Sequence, residues 1–333
     1  MAALPSANIL PTPQDIVEAA SRIKSHAFIT PVIHFPELDQ ITGARVFIKA
    51  EMLQRTGTFK FRGAFNRLLQ LTDEERKCGV VAYSSGNHAQ GVAAAAQILG
   101  ISATIIMPSD APKIKIDNTK TYGATIRLYD RYTEDRHAIG QEVANETRAI
   151  LVPPYDDKDI IAGQGTAGLE FIQQMHAKQL SIDTLLCCCG GGGLIAGCAL
   201  AFFEFSPNTA IYSVEPAEFN DMAVSLASGK RESNAADARS ICDALLASEP
   251  GKITFEINKK LLRGGLTVTD DEVKSAIAFA FTRLKLVLEP GGAVALAAAL
   301  HKKIDIRNQV VGIVCSGGNI DPAALCEYVN EAR

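Results

Sequence analysis

The stretch Thr56-Gly57-Thr58-Phe59-Lys60-Phe61-Arg62-Gly63-Ala64 decides the interpretation of this chain, because it places a lysine between two aromatic residues. Burial among apolar neighbours lowers the pKa of an ammonium group, and a neutral lysine can form a Schiff base with a carbonyl compound. We expect Phe59 and Phe61 to exclude water from Lys60. Taken alone, Lys60 would more often be a surface lysine that opens an amphipathic helix, so the interpretation depends on the remaining motifs.

Composition indicates a protein that acts on small molecules. The 333 residues, 47% of them hydrophobic, suffice for one large two-lobed domain or two domains with a full core. A net charge of -4 without a basic block argues against a nucleic-acid surface. No positive segment followed by an apolar run stands at the N-terminus, which favours a cytoplasmic protein. Four glycines interrupt the uncharged stretch 185–203, which argues against a membrane span.

Eight cysteines are present, and three of them form the run Cys187-Cys188-Cys189. Neighbouring side chains of a strand point to opposite faces, so these three thiols cannot converge on one metal ion. The rest of the chain has no zinc-binding spacing. Buried, reduced thiols are therefore predicted.

Strand and helix patterns alternate along most of the chain, after an N-terminal helix that opens at Thr12-Pro13-Gln14-Asp15. A strand at 46–48 precedes the lysine stretch. Further strands are predicted at 80–83, 103–107, 125–128, 150–152, 184–189, 210–214 and 310–315, and helices at 63–70, 87–99, 112–122, 133–148, 160–176, 194–205, 270–286, 293–303 and from 322. This alternation predicts an α/β fold with parallel strands covered by helices on both faces. Only segment 215–265, rich in Ser, Asn, Asp and Gly, is predicted to be irregular.

Gly190-Gly191-Gly192-Gly193, the glycine quartet, lies between a predicted strand and a predicted helix. Unhindered N–H groups and the positive end of a helix dipole then face one point, which suits a phosphate group. The lysine and hydroxyl of an ATP-binding loop and the spacing of a dinucleotide fingerprint are missing. A tight packing turn is the structural alternative.

Two more Gly-containing turns follow predicted strands in the same way. Ser84-Ser85-Gly86-Asn87-His88 combines a helix N-terminus with hydroxyl and amide groups, which suits a carboxylate, although an ordinary helix cap has the same pattern. His88 is interpreted as structural. Ser316-Gly317-Gly318-Asn319 follows the last strand and offers a neutral hydroxyl. We expect all three turns to lie along the carboxyl edge of one parallel sheet, where ligands bind in such folds.

These motifs, in this order and over nearly the whole chain, resemble the fold-type II pyridoxal-phosphate family of serine/threonine dehydratases and serine racemase. The resemblance implies a fold like that of the tryptophan synthase β subunit, with parallel sheets covered by helices and with a large and a small lobe. The large lobe then comprises residues 1–52 and 150–333, and the small lobe is the inserted segment 53–149. It also implies a homodimer or homotetramer.

The resemblance assigns roles around pyridoxal phosphate. Lys60 carries the cofactor as a Schiff base, Phe59 packs near its ring, and Asn87 bonds its 3′-hydroxyl group. The glycine quartet holds the phosphate, so that Gly190, Gly191, Gly192 and Gly193 all belong to the cofactor site. Ser316 faces the pyridine nitrogen, and Glu289 borders the ring, with a helix cap as the alternative for Glu289.

By the same resemblance, Ser84, Ser85 and Asn87 hold the substrate carboxylate, and Lys60 takes the Cα proton of a 3-hydroxy amino acid. The cofactor absorbs the electrons of the broken Cα–H bond. Loss of the β-hydroxyl group then leads to a 2-oxo acid and ammonia, so the implied enzyme is a dehydratase of the L-threonine or L-serine type. A neutral serine at the ring nitrogen stabilises the carbanion less than a carboxylate does, which favours elimination over transamination.

The branch of the family stays open at Ser85, since serine racemase uses a serine there as an acid and base on the face opposite the lysine. Racemisation with a dehydratase side activity is therefore the main alternative. Serine also stands there in dehydratases of 3-hydroxyaspartate. Two departures, Ala244 after Cys242-Asp243 and the segment Val152-Pro153-Pro154-Tyr155, favour a substrate other than plain serine or threonine.

Two further sets of residues match the racemase-like branch. Glu215, the Phe219 carbonyl and Asp221 have the spacing at which that branch binds a divalent cation, and these groups suit Mg²⁺ or Ca²⁺. A solvated loop is the alternative. Arg136 lies where that branch has an arginine near the small-lobe cleft and is counted with the substrate-binding residues, an exposed helix arginine being the alternative.

Two other functions remain open. Glycine turns of this kind would also suit a non-catalytic nucleotide sensor, in which Lys60 pairs a phosphate. Related enzymes of the same fold catalyse β-replacement and form cysteine from an activated serine and sulfide. A yellow, borohydride-sensitive chromophore distinguishes either enzyme from the sensor.

Overall fold

The computed structural model describes residues 10–84, 86–130 and 133–331. Within these ranges, the larger of two sheets has six strands, which are parallel except for the antiparallel first pair. In spatial order they are β1 (Val32–His34), β2 (Arg45–Ala50), β10 (Val310–Cys315), β7 (Thr184–Cys188), β8 (Ala210–Pro216) and β9 (Gly264–Val268).

The second sheet has four parallel strands. In spatial order they are β5 (Thr125–Tyr129), β4 (Ala103–Pro108), β3 (Val80–Tyr83) and β6 (Ile150–Leu151). Three of these strands, β3, β4 and β5, come from the segment predicted to be the small lobe. The fourth, β6, begins one residue beyond the boundary predicted at 149. The exact division into lobes stays a prediction.

Helices cover both sheets, and the predicted α/β alternation is confirmed. Those of the first half are α1 (Pro13–Ile23), α2 (Pro36–Thr42), α3 (Lys60–Leu69), α4 (Asp73–Cys78), α5 (Asn87–Leu99), α6 (Lys113–Thr121), α7 (Arg136–Thr147) and α8 (Lys158–His176). Those of the second half are α9 (Gly193–Phe205), α10 (Asp221–Ser228), α11 (Lys252–Leu261), α12 (Asp270–Phe279), α13 (Pro290–Leu300) and α14 (Pro322–Glu331). No helix in the described part of the chain has the length and apolar character that a bilayer crossing requires.

The segment 215–265 differs from the prediction, because it contains α10 and α11 and the first residues of β9. The start of α11 is stabilised from a distance. The Asp156 carboxylate accepts hydrogen bonds from the N–H groups of Lys252 and Ile253, at 2.9 and 2.8 Å. A helix cap that lies about a hundred residues away in sequence leaves no local signal, so the helix was missed.

Two hydrophobic cores meet at the lysine stretch. Phe59 belongs to the core of the six-stranded sheet, and Phe61 belongs to that of the four-stranded sheet. Phe61 stacks on Phe65 with ring centroids 5.1 Å apart and does not line the pocket around Lys60. The expectation that both aromatic residues cover Lys60 is therefore wrong for Phe61, because successive helical side chains point in different directions.

A buried ionic network fixes α3 to the six-stranded sheet. Arg62 donates hydrogen bonds of 2.8 Å to both carboxylate oxygens of Glu51 and contacts both oxygens of Glu170 at 3.1 Å. Lys49 on β2 donates to Glu170 at 2.5 Å. Burial alone would raise the pKa of Glu51, but the Arg62 guanidinium outweighs it and holds that pKa below its usual value. The network thus positions the helix that starts with Lys60.

Candidate active site

One pocket collects residues from all three predicted turns, but these turns do not share one sheet. The turn after β3 belongs to the four-stranded sheet, whereas the glycine quartet after β7 and Ser316 after β10 belong to the six-stranded sheet. The expectation of a single sheet edge is therefore wrong. The pocket lies in the cleft between the carboxyl ends of two sheets, which places functional groups on opposite walls.

Lys60 is the first residue of α3, and its amine lies in this pocket. Nζ donates a 2.7 Å hydrogen bond to the Pro154 carbonyl oxygen and lies 5.2 Å from the centroid of the Phe59 ring. Burial lowers the pKa of Lys60 to about 8, with a small opposing effect of Cys188. About a tenth of the amine is then neutral at pH 7, against a few ten-thousandths for an ordinary lysine. The site therefore supplies a nucleophilic amine.

His88 lines the pocket as a neutral imidazole. Its Nε2 lies 3.0 Å from the Val152 carbonyl oxygen, so Nε2 carries the proton and Nδ1 is a lone-pair acceptor. Burial, together with the positive charge of Lys60, lowers the pKa of His88 to about 3. Nδ1 is buried and makes no hydrogen bond within the described ranges. A neutral histidine agrees with the structural interpretation of this residue.

The glycine quartet forms a cradle that no side chain could enter. A Cβ atom on Gly191 would lie 2.3 Å from the ring of Tyr155, and Gly192 has a φ of +91° that disfavours other residues. The carbonyl oxygens of Gly191 and Gly192 accept hydrogen bonds from Thr254 and Asn258. The N–H groups of Gly191 to Gly193 have no acceptor among the residues described. These free donors at the N-terminus of α9 fit a phosphate group.

The orientation of the Asn87 amide follows from its partners. Asn319 Nδ2 donates to the Thr56 carbonyl oxygen at 2.9 Å and to Asn87 Oδ1 at 3.1 Å. Asn87 Nδ2 in turn donates to Glu289 Oε1 at 2.5 Å. A backbone carbonyl can only accept, so the amide positions of both asparagines are fixed. Asn87 retains one further N–H for the pocket, which fits the predicted bond to a cofactor oxygen.

Glu289 occupies the cap position before α13, but its side chain makes no capping hydrogen bond. Instead, its carboxylate lies 3.0 Å from Lys115 Nζ, which also donates to Asp243 at 2.7 Å. Burial raises the pKa of Glu289, and Lys115 counteracts this effect. Burial alone would lower the pKa of Lys115, but the two carboxylates raise it above its usual value. Lys115 is therefore a buried cation that the sequence analysis did not identify.

Ser84 and Ser316 of the predicted serines both line the pocket. Ser84 is half-buried in the pocket and accepts a hydrogen bond from the Gly86 N–H at 3.1 Å. Ser316 is buried in the same pocket, and its carbonyl oxygen accepts from the Phe59 N–H at 3.1 Å. Ser85 lies outside the described residues. Its predicted catalytic and substrate-binding roles therefore stay predictions.

Arg136 starts α7 and lines the pocket from the side of the four-stranded sheet. Its guanidinium carbon lies 5.8 Å from the centroid of the Tyr83 ring, and the residue is half-buried. Burial raises the pKa of Tyr83 to about 12, and Arg136 acts in the opposite direction. Arg136 thus places a guanidinium group at the pocket wall, and Ser84 and Ala244 line the same pocket.

Two of the predicted metal ligands are close to each other, because Glu215 binds the start of α10, whose first residue is Asp221. Glu215 accepts hydrogen bonds from the N–H groups of Met222 and Ala223, at 2.9 and 2.8 Å. Burial raises the pKa of Asp221 to about 7, while burial and then Asp221 raise that of Glu215. Asp221 Oδ2 is buried without a hydrogen-bond partner in the described structure. No group of three His, Cys, Asp or Glu residues forms a metal centre within the described ranges, so this site stays a prediction based on two carboxylates and the Phe219 carbonyl.

Comparison with known proteins identifies the family. The family model described as "Pyridoxal-phosphate dependent enzyme" matches residues 23–317. This chain belongs to the pyridoxal-phosphate-dependent enzyme family. The predicted cofactor is thereby confirmed at the level of the family, and membership of an enzyme family argues against a nucleotide sensor.

Relatives of this pyridoxal-phosphate enzyme indicate its class. It is 45% identical to an L-threo-3-hydroxyaspartate ammonia-lyase from Pseudomonas sp., over 92% of this chain and 95% of the relative. It is 41% identical to serine racemase from Schizosaccharomyces pombe, over 97% and 98%. The solved structure of maize serine racemase is 37% identical and superimposes with a TM-score of 0.90, over 97% of this chain and 98% of that one. The predictions of a fold-type II architecture and of a pyridoxal-phosphate-dependent lyase are confirmed.

Three residues that line or organise the site were not predicted from the sequence: Lys115, Tyr155 as the ring over the glycine quartet, and Asn319 as the partner of Asn87. Asn319 and Tyr155 lay within quoted motifs, but no pattern indicated their contacts. Lys115 is one of three lysines in the predicted helix 112–122, and nothing in the sequence indicated that this one is buried.

Proposed function

We propose that this enzyme is an ammonia-lyase that converts a 3-hydroxy L-amino acid with an acidic side chain, of the L-threo-3-hydroxyaspartate type, to the 2-oxo acid and ammonia. The observation that carries the proposal is the pocket itself. It unites a lysine of lowered pKa, a phosphate cradle and a half-buried arginine. The net reaction of 3-hydroxyaspartate gives oxaloacetate and ammonia, with no change in the number of electrons.

Pyridoxal phosphate, when bound, supplies a conjugated ring that takes up the electron pair of the broken Cα–H bond. The residues of the chain do the rest. Lys60 holds the aldehyde and later receives the Cα proton at Nζ. The free N–H groups of the glycine quartet bind the phosphate, and the free N–H of Asn87 binds the ring oxygen. Ser84 and the start of α5 bind the substrate carboxylate.

The acidic side chain of the proposed substrate is supported by a cationic side chain at the pocket wall, that of Arg136. Arg136 borders the pocket at its half-buried wall, and an arginine there can form a bidentate bond with a second carboxylate of the substrate. Serine and threonine have no second carboxylate that could pair with Arg136. The Pseudomonas relative, at 45% identity, is an L-threo-3-hydroxyaspartate ammonia-lyase by name and supports the same substrate class.

Arg136→Gln is expected to raise KM for L-threo-3-hydroxyaspartate about 10- to 100-fold, with a change below about threefold for L-serine, because a charged hydrogen bond is lost only with the acidic substrate. Release of 2-oxo acid from both substrates measures this effect. Arg127→Gln, on an exposed ion pair of β5, is the matched control and should change neither KM.

The same assay tests the proposal as a whole. Absence of 2-oxo acid from L-threo-3-hydroxyaspartate, L-serine and L-threonine would overturn the lyase function. Inversion of the remaining substrate faster than 2-oxo acid release would favour the racemase. Formation of cysteine from an activated serine and sulfide would favour β-replacement. An equal rise of KM for both substrates in Arg136→Gln would show that Arg136 does not bind the side chain of the substrate.

We further propose that Glu215, the Phe219 carbonyl and Asp221 bind Mg²⁺ or Ca²⁺. Two adjacent buried carboxylates of raised pKa, one with an unpaired oxygen, favour a nearby cation. Millimolar Mg²⁺ or Ca²⁺ is expected to raise the thermal midpoint by a few degrees, roughly the effect of ligand well above its Kd. Asp221→Asn should remove this shift and the exposed Asp237→Asn should keep it. An unchanged shift in Asp221→Asn would contradict the site.

We also propose that the protein is cytoplasmic and that it assembles into a homo-oligomer. All eight cysteines are free thiols, which suits a reducing compartment. Phe28, Ile29 and Leu53 expose large apolar side chains near one another, since Gln54 hydrogen-bonds the Phe28 backbone. Such a surface suits contact with a second copy of the chain. A molar mass of one subunit in light scattering would contradict the assembly.

A further inference from the structure

Lys115 crosses from one side of the cleft to the other. It is carried by α6, which packs with α5 on the four-stranded sheet, and only 1% of its surface is exposed. Its chain passes so close to the turn before α5 that a Cβ atom on Gly86 would lie 2.2 Å from Lys115 Cδ. The amine then reaches Asp243 at 2.7 Å and Glu289 at 3.0 Å. Glu289 directly precedes α13, which packs against the six-stranded sheet and against the short segment that contains Asp243.

This crossing places a cation beside the buried carboxylate of Glu289. A buried carboxylate without a cation tends to bind a proton, and Glu289 is buried to 99% of its surface. Lys115 favours the ionised form, which can only accept hydrogen bonds. Asn87 Nδ2 is the donor that Glu289 Oε1 accepts, at 2.5 Å. A protonated Glu289 would offer a competing donor and weaken this bond.

The geometry points to Lys115 as a positioning residue of the cofactor site, which acts through Glu289 to hold the Asn87 amide with its second N–H free for the ring oxygen of pyridoxal phosphate. Lys115 is on α6, which packs against α5 beside the four-stranded sheet, and Glu289 directly precedes α13, which packs against β10 and β7 of the six-stranded sheet. The amide is therefore set only when the two sides of the cleft are together. The inference rests on the family of the protein and not on which amino acid is its substrate.

Lys115→Met is expected to weaken binding of pyridoxal phosphate by about 10- to 100-fold, the loss that accompanies one charge-assisted hydrogen bond. It should also shift the visible absorbance maximum of the bound cofactor, because the donor to the ring oxygen is no longer held. Both are measured by titrating the cofactor-free protein and recording spectra. Lys115→Arg should recover most of the affinity.

Lys113 provides the matched control, since it lies two residues earlier on the same helix. Its side chain is 86% exposed and pairs with Asp117. Lys113→Met should leave cofactor affinity and spectrum unchanged. Equal affinities and spectra of Lys115→Met and the original protein would overturn the inference.

A double variant separates positioning from packing. Gln in place of Glu289 keeps an oxygen that accepts from Asn87 and needs no cation nearby. Lys115→Met combined with Glu289→Gln is therefore expected to bind the cofactor at least about fivefold more tightly than Lys115→Met alone. If Lys115→Met fails to fold and the double variant folds and binds cofactor, the inference holds. No gain in the double variant would overturn it. Cofactor affinity needs no substrate, so these outcomes are independent of the proposed reaction.

Discussion

Replacing Lys60 with alanine is expected to lower 2-oxo acid formation by at least about 10⁴-fold, because the variant loses both the group that holds the cofactor and the base that takes the Cα proton. Reduction with borohydride should leave pyridoxal phosphate covalently attached to the original protein and not to the variant. Mass spectrometry of the peptide that contains residue 60 measures the attachment.

Lys113→Ala is the control, since that lysine is exposed and pairs with Asp117. This variant should retain both the activity and the covalent attachment of the cofactor. Attachment of the cofactor elsewhere in Lys60→Ala would contradict the assignment.

The pH dependence of cofactor attachment in the original protein offers a second check. The pKa of Lys60 lies at about 8, so attachment should become faster as pH rises and level off above pH 8. A rise that continues to the pKa of an ordinary lysine would show that the amine is not buried.

Replacing Arg62 with methionine is expected to lower the free energy of unfolding by about 3–5 kcal/mol, the usual result of removing one partner from a buried ion pair. Glu51 would then be buried without its guanidinium, and Glu170 would keep only Lys49. Urea unfolding at pH 7 measures the loss. Since Arg62 lowers the pKa of Glu51, its contribution is present at neutral pH and disappears as pH falls through that lowered pKa.

Arg127→Met is the matched control, because Arg127 also pairs with a glutamate but both side chains are about half exposed. Its loss should stay below about 1 kcal/mol. A similar small loss in Arg62→Met would show that water enters the network and that the pair is not effectively buried. Glu51→Gln should fall between the two, since Arg62 keeps the carboxylate of Glu170.

Local patterns of the sequence were enough to predict the framework. The helices predicted to open at Thr12-Pro13-Gln14-Asp15 and at residue 270 both form, and each starts with a capping box, Thr12 with Asp15 and Thr269 with Glu272. The glycine quartet and the lysine stretch, which run into the starts of α9 and α3, were recognisable because a phosphate cradle and a Schiff-base lysine need these residue types next to one another. The order of these motifs also indicated the family and the class of reaction.

Contacts between distant residues were beyond the sequence. Asn87 and Glu289 are 202 residues apart, and Asn319 and Thr56 are 263 residues apart, yet together they fix which amide hydrogen is free. The helix α11 depends on Asp156 in the same way. The periodicity of a sequence does not indicate such pairs, because it reflects only residues that are close together in the chain.

The sequence by itself determined most of the helices and strands and the cofactor family, and it predicted Lys60 as the lysine that holds the cofactor, because these depend on neighbours within one turn of chain. Only the tertiary structure decided that the three turns come from two sheets and that Lys115 joins the two sides of the cleft. The physical reason is that hydrogen bonds and ion pairs depend on positions in space, and folding alone brings the carboxyl ends of two separate sheets to face each other.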